Sequence, residues 1–237
     1  MRVILAEKPS VAQSIAAVLG ADQKKNGYLQ GENDLVSWCI GHLIELATPE
    51  IYDARYAKWR REDLPIVPSA WESVVSDGTK KQFAVLKDLL NRTDVDEVVC
   101  ATDAGREGEL IFRMVYEKTG CTKPVKRLWI SSLEESAIRE GFRSLKPGTA
   151  YDALYRAALC RAQADWLVGI NGTRLYSRLY GTKLNVGRVM TPTLAMRAER
   201  GKEITAFQDE RLSTAQASRR FSAQRRRFKT RQEAARS

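Results

Sequence analysis

Twice along this chain a short β-branched run passes through an acidic turn straight into a helix-forming stretch. That repeat limits the fold more than any other feature. The first copy is Val3-Ile4-Leu5-Ala6, then Glu7-Lys8-Pro9-Ser10, then a helical stretch ending at Leu19 before Gly20. The second is Val98-Val99-Cys100-Ala101-Thr102, an acid- and glycine-rich turn, and a helix over residues 109–116 after Gly108. Apolar runs of this length suit strands buried on both faces. Ser10 is the expected N-cap of the first helix, and Gly20 its stop. Residues 126–131 supply a third strand, and Ser132 with Glu135 has capping-box spacing at the head of another helix. Strands alternating with helices predict an α/β fold, its mostly parallel sheet covered by helices on both faces.

The remainder is organised differently. Residues 40–80 are rich in proline, tryptophan and charge and read as an insertion or long connection. From Thr149 the pattern turns helical, with Leu154, Ala157, Cys160, Ala164 and Leu167 forming the expected apolar stripe. A boundary is expected near Lys146-Pro147-Gly148, giving an α/β domain over 1–147 and a partial helical domain over 148–206. Residues 207–237 hold nine basic against three acidic residues, more than half of the chain's net +10. With few large apolar residues, this stretch is expected to be disordered, as the end of a truncated domain.

A charge of +10 favours a polyanionic partner, of which nucleic acid is the commonest. The four cysteines are scattered without a Cys-x-x-Cys pair and His42 is the only histidine, which argues against a zinc site. His42 itself reads as a polar residue of a packed loop. Such cysteine usage fits a reducing cytosol. The acidic Glu7 comes too early for a signal peptide, and no run approaches the ~20 apolar residues that span a bilayer. A soluble, cytoplasmic protein is expected.

Asp103, Glu107 and Glu109 lie just beyond the second strand, and Glu7 lies at the same place after the first. Open α/β sheets bind ligands outside their strands' carboxyl ends, so the two loops can converge on one crevice. Clustered carboxylates on a basic protein suit Mg²⁺, which takes one or two carboxylates and fills its octahedron with water and phosphate oxygens. A carboxyl among like charges can alternatively stay protonated and serve as a general acid. The plainer reading is acids that solvate loops and cap helices.

"AEKPS" at 6–10 followed by "ATDAGREGE" at 101–109 resembles the Toprim domain of type IA DNA topoisomerases. "IGHLIEL" at 40–46, "YAKWRREDLPIVP" at 56–68, "KQF" at 81–83, "RLWISSL" at 127–133 and "NVGRVMTPTLAM" at 185–196 narrow the resemblance to the topoisomerase III branch. It covers roughly residues 1–208. It implies a Rossmann-like Toprim fold followed by the start of a mainly helical DNA-gate domain. The implied activity is a change of DNA topology by transient single-strand cleavage and religation, with Mg²⁺ and no nucleotide.

Carried over residue by residue, the resemblance makes Glu7 the acid/base and places Mg²⁺ on Glu7, Asp103 and Glu107. Gly105 stands where the commoner family pattern has Asp, so a weaker single metal site is expected. Lys8, Trp59, Arg61, Arg161, Asp165 and Arg174 become candidate DNA contacts, as do Asn185, Val186, Gly187, Arg188, Val189, Met190 and Thr191. Trp166 is read as core. The partner implied is DNA, chiefly single-stranded, acted on by a monomer. The family's nucleophile is a tyrosine in a Tyr-Pro-Arg-Thr-like setting, and none of the eight tyrosines here has that setting. The chain alone is therefore expected to be inactive. Two alternatives remain, another Toprim enzyme of primase or nuclease type and a non-catalytic single-strand-binding fragment.

Overall fold

Val3, Ile4, Leu5 and Ala6 are fully buried, as are Val98, Val99 and Cys100. Each Val, Leu or Ile removed from water contributes about 1.5–3 kcal/mol, so these two strands organise the fold. The computed structural model describes residues 1–207 and the short strands Ser213–Thr214 and Arg227–Phe228. Its elements run β1 (Arg2–Ala6), α1 (Pro9–Leu19), β2 (Gln23–Lys25), β3 (Tyr28–Gln30), β4 (Asp34–Trp38), β5 (Ile44–Leu46), α2 (Pro49–Tyr52) and β6 (Ser73–Val75). They continue as α3 (Lys80–Leu90), β7 (Glu97–Ala101), α4 (Arg106–Thr119), β8 (Val125–Arg127), α5 (Glu135–Arg143), β9 (Lys146–Pro147), α6 (Asp152–Tyr180) and α7 (Met190–Thr205). The final pair of strands is β10 and β11.

One seven-stranded sheet has the order β2-β3-β4-β1-β7-β8-β9. Its four central strands are parallel, and both margins are antiparallel. Alternation along β1 sends Val3 and Leu5 to one face, where they pack with Leu86 and Leu90 of α3 and Phe112 of α4. Ile4 and Ala6 go to the other face, against Ala12 and Ile15 of α1 and Ile138 of α5. The sheet is thus covered on both sides. β1 lies between β4 and β7, so successive connections leave it in opposite directions. That is the switch point at which such sheets open a crevice.

Several boundaries differ from the sequence expectation. Pro9, not Ser10, starts α1, with Lys8 as an extended N-cap lacking a side-chain cap bond. Proline's fixed φ suits the first helical position, which moves the N-cap from the expected Ser10 to Lys8, two residues earlier. Gly20 ends the helix as expected, in the left-handed region at φ 72°. Helix α4 starts at Arg106, three residues before the expected Glu109, because Gly105 serves as its extended N-cap. Glu107 and Glu109 then fall in its first turn, where acids complement the helix dipole. The third strand is only Val125–Arg127, and Ser132 accepts from the Glu134 amide one turn before α5 instead of capping that helix. In α6, Ala157 and Cys160 are exposed, while Tyr155, Ala158, Leu159 and Ala162 pack inward. The alanine-rich sequence fits either phase, and packing against α4 selects this one.

Lys146 and Pro147 pair with β8 as an edge strand. The chain divides into two compact units at another point, Met1–Gly187 and Arg188–Ser237. In the second unit, α7 exposes Leu194, Met196 and Ile204, and β10 pairs antiparallel with β11. The expected tail disorder falls on residues outside those described, apart from Phe207 and these strands.

Candidate functional site

The carboxyl ends of β4, β1 and β7 lie side by side, and the residues that follow each strand meet in one crevice. Glu7 directly follows β1 and is 13% exposed; its Oε2 accepts from the Asp103 amide at 3.2 Å. Asp103 lies two residues beyond β7 and is 58% exposed. The Lys8 ammonium sits 3.7 Å from Glu7 Oε1 and 3.6 Å from Asp103 Oδ2. Glu107, in the first turn of α4, places Oε1 2.8 Å from His42 Nε2. His42 arrives from the loop beyond β4. It belongs beside the acids, which the sequence reading missed. A Gly41-His42 pair just past the strand that neighbours β1 was the available signal.

A buried network fixes the acid-bearing turn. Arg127, at the end of β8, has no exposed side chain. Its Nη1 donates to the carbonyls of Thr102 at 2.7 Å, Leu128 at 3.0 Å and Cys100 at 3.1 Å, and Nη2 donates to Asp103 O at 2.7 Å. Arg127 Nε lies 3.1 Å from Glu109 Oε2, a charge contact without hydrogen-bond alignment. Glu109 is 1% exposed, so it belongs to this scaffold and not to the open crevice. Its Oε1 accepts from Arg113 Nε at 3.0 Å, and Arg113 reaches on to Asp152 and Gly148 O at the start of α6. Burial opposes the charge on Arg113, yet its bonds to Glu109 and Asp152 hold its pKa above the ordinary value.

Two further contacts close the turn. Thr102 Oγ1 donates to Gly108 O at 2.8 Å, tying the end of β7 to α4. A Cβ at Gly108 would lie 2.2 Å from Asp103 O, so the helix approaches the turn as only glycine allows. At Gly105 the reverse holds. Its φ of −175° is ordinary extended backbone, and an added Cβ would meet nothing within 4 Å. The buried Cys100 thiol below the site is pushed up to about 11 by burial, so thiolate chemistry is absent there at neutral pH.

A trough of two adjoining cavities runs along α6 from Glu107 and His42, and neither cavity is lined by Glu7 or Asp103. Its first part is a cavity of about 350 Å³ bordered by His42, Glu107, Arg161, Asp165 and Trp166. Its second, about 480 Å³, is bordered by Trp59, Asp165, Trp166, Ile170, Arg174 and Asn185, among others. Asp165 and Trp166 border both. Trp166 is half-buried, donates to Ala47 O at 2.9 Å and meets Tyr52 and Trp71 edge-on, so it is both support and wall. Asn171 pins the 56–68 loop to α6 through the Ile66 amide and carbonyl. Thr173 Oγ1 accepts from the Val186 amide at 2.9 Å, which holds residues 184–186 along the helix.

The candidate contacts fall into groups. Glu7, Lys8 and Asp103 meet at the strand ends, while Glu107 pairs with His42. Trp59, Asp165, Arg174, Asn185 and Val186 line the second cavity, and Arg161 lines the first. Arg161 lies 3.7 Å from Asp165. Arg174 is only 4% exposed: it donates to Tyr56 O and Glu50 Oε1, each at 2.7 Å, and lies 5.3 Å from the Trp59 ring centre. Burial works against ionisation of Glu50, but backbone, Thr48 and Arg174 hydrogen bonds keep its carboxyl below the usual range. Arg174 therefore holds Trp59 against the cavity. Arg61 is exposed and borders neither cavity. Gly187 closes the first unit, and Arg188, Val189, Met190 and Thr191 open the second.

Comparison with known proteins agrees with this geometry. Residues 2–133 match the Toprim domain family, and residues 149–237 match the DNA topoisomerase family. DNA topoisomerase 3 of Bacillus anthracis is 52% identical over 205 residues, covering 86% of this chain and 28% of the relative. That of Shouchella clausii is 53% identical over 206 residues, covering 87% and 28%. The chain thus spans little more than a quarter of these relatives' length. Full-length topoisomerase I from Thermotoga maritima superposes with a TM-score of 0.60 at 25% identity, covering 87% of this chain and 31% of that one. The chain belongs to the Toprim family, and corresponds to the N-terminal portion of a type IA DNA topoisomerase of the topoisomerase III branch.

Proposed function

We propose that this chain supplies the acidic centre and part of the strand-holding groove of a DNA topoisomerase that changes topology by cutting and rejoining one strand. The observation that carries this reading is the pair of adjoining cavities along α6, the first bordered by Glu107 and His42, the second by Trp59, Asn185 and Val186, and both by Asp165 and Trp166. Arg161 beside the Trp59 and Trp166 walls suits a single strand, whose phosphates meet cations while bases meet rings. In function we divide the chain near residue 147, with the acids before it and one wall of the groove, α6, after it, the facing wall coming from residues 42–59. Arg188, Val189, Met190 and Thr191, in the second unit, are proposed as DNA contacts on the family resemblance alone. The reading makes the chain a monomer at work where a bacterium keeps its DNA, in the cytoplasm. Among the described residues, no helix is long and apolar enough to cross a membrane.

The acids fit Mg²⁺ as a sparse site. No group of three or more candidate donors is gathered closely enough to form a cage among the described residues. Glu7 and Asp103 nevertheless share one cation already, the Lys8 ammonium. Mg²⁺ commonly takes one or two carboxylates and leaves the rest to water and phosphate. Asp103 with Glu7 would hold it, and Glu107 would hold it if released from His42. When bound, the ion would neutralise charge on the reacting phosphate. Glu7, oriented by the Asp103 amide, is placed to hold or deliver a proton at the strand's 3′ oxygen. Glu109 does not replace the missing acid at 105, because it is buried between Arg113 and Arg127.

Two results test this. Gly105→Asp, for which the structure has room, is expected to tighten Mg²⁺ binding about tenfold by adding a hard oxygen ligand. Calorimetric titration showing no gain would mean that position 105 does not face the ion. The chain should also bind a labelled single-stranded oligonucleotide with an affinity that falls steeply with salt. Trp59→Ala should weaken that binding by about 1–3 kcal/mol, read by fluorescence anisotropy. Among the described residues, no tyrosine hydroxyl hydrogen-bonds Glu7, Lys8, Asp103 or Glu107. Incubation with supercoiled plasmid and Mg²⁺ is accordingly expected to give neither relaxation nor a covalent adduct.

A further inference from the structure

Among the described residues, Lys8 is the basic group on the acidic pair, and its contacts are loose. Distances of 3.7 and 3.6 Å to Glu7 Oε1 and Asp103 Oδ2 exceed hydrogen-bond length, and the side chain is 57% exposed. Its backbone is fixed, extended at φ −137° and ψ 152°, with its carbonyl accepting from Ala12 N at 3.0 Å. The ammonium is therefore a point charge on a flexible four-carbon stem, anchored at the head of α1. Glu7, by contrast, is 13% exposed and oriented by the Asp103 amide. Glu7 is the fixed partner, while the ammonium and the Asp103 carboxylate are both solvent-exposed.

We propose that Lys8 is a tethered counter-ion that fills the Glu7–Asp103 pair until a phosphodiester draws it away, so that DNA and a divalent cation bind cooperatively. This rests on the reading of the site given above. A divalent ion on these oxygens would sit at about 2.0–2.1 Å. It would then lie next to the ammonium in its present position, and the two like charges repel. Without DNA, the cation has to push the ammonium into solvent and binds weakly. With DNA, a phosphate accepts the ammonium and leaves both carboxylates to the cation. Linkage is reciprocal, so the cation strengthens DNA binding by the same factor. The site loads its metal chiefly when a strand is in place.

The test is Mn²⁺ binding, followed by the loss of the free-ion electron paramagnetic resonance signal. It is run with and without a short oligothymidylate, with an oligonucleotide blank subtracted. The wild-type chain is expected to gain about tenfold in Mn²⁺ affinity with the oligonucleotide, within the usual range of coupling. Lys8→Met should bind Mn²⁺ about tenfold more tightly without DNA and show a coupling factor well below that of wild type, the remainder being direct phosphate ligation of the ion. Lys8→Arg should retain the coupling, since it keeps a mobile charge. A Lys8→Met variant that binds Mn²⁺ no better than wild type, or keeps the full wild-type coupling, overturns the proposal. Failure of the strand-holding reading looks different: the oligonucleotide would not bind, while Lys8→Met would still gain Mn²⁺ affinity. In that event only the DNA-linked half of the proposal falls. A merely structural Lys8 would instead show as a lowered melting temperature with both affinities unchanged.

Discussion

Arg127→Ala is expected to destabilise the chain by about 3 kcal/mol, the lower end of the range for breaking a buried ion pair. The lower end applies because some of its partners keep other bonds. Cys100 O still receives the Leu128 amide, Asp103 O the Gly105 amide, and Glu109 the Arg113 guanidinium. Among the described hydrogen bonds, those that Arg127 makes to Thr102 O and Leu128 O have no such substitute. Domains of this kind are held by only about 5–15 kcal/mol, so the loss is large. Arg127→Lys should recover part of it, since an ammonium cannot span carbonyls on both sides of the turn. Each charged hydrogen bond left unmade costs about 1.5–3 kcal/mol. Urea unfolding followed by circular dichroism measures both variants. A loss below about 1 kcal/mol for the alanine variant would contradict the assigned scaffold role.

Gly108→Ala is expected to damage the site more than the fold. The new methyl would lie 2.2 Å from Asp103 O and 2.9 Å from Asp103 N, both backbone atoms, so the turn has to move. Overpacking of this kind costs about 1–3 kcal/mol. Alanine's better helix propensity returns up to about 1 kcal/mol. The net loss of stability is therefore modest. The Asp103 amide, however, orients Glu7, and its carboxylate shares Lys8, so a displaced turn separates the pair. Divalent-cation binding should weaken by about tenfold or more, since a displacement of one ångström can cost two orders of magnitude in a positioned site. Calorimetry with Mn²⁺ beside a melting curve separates the two effects. Wild-type cation affinity in this variant would show that the close approach has no bearing on the acids.

The sequence exposes what is local and conceals what depends on strand order. Glu7 and Asp103 are legible because each follows a β-branched run within two residues, and a parallel sheet places such turns on one edge. His42 is not, because its nearness to Glu107 depends on β4 lying beside β1 and β1 beside β7. Nothing local to residues 40–46 states that order. Arg127 is concealed for a related reason. Within Lys126-Arg127-Leu128 it reads as one more surface charge, and only pairing of β8 with β7 turns it under the acidic loop. Arg174 shows the same limit from the other side. Interleaved with aromatics on a helix it resembles a phosphate contact, but a loop over a hundred residues away supplies Glu50 and Tyr56 O to hold it. The helical stretch from Thr149 is equally plain as a helix and equally silent about its inward face.

The proposed path lays a single strand along α6, from the Glu107–His42 end towards Asn185. The most direct measurement is photo-crosslinking of an oligonucleotide carrying 4-thiothymidine at successive positions, with the modified peptides identified by mass spectrometry. The account predicts adducts at Trp59 and Trp166, and adducts that move towards the His42 loop as the reactive base is shifted along the strand. Adducts confined to surfaces away from this trough, or an unchanged pattern when Trp59 is replaced by alanine, would contradict it.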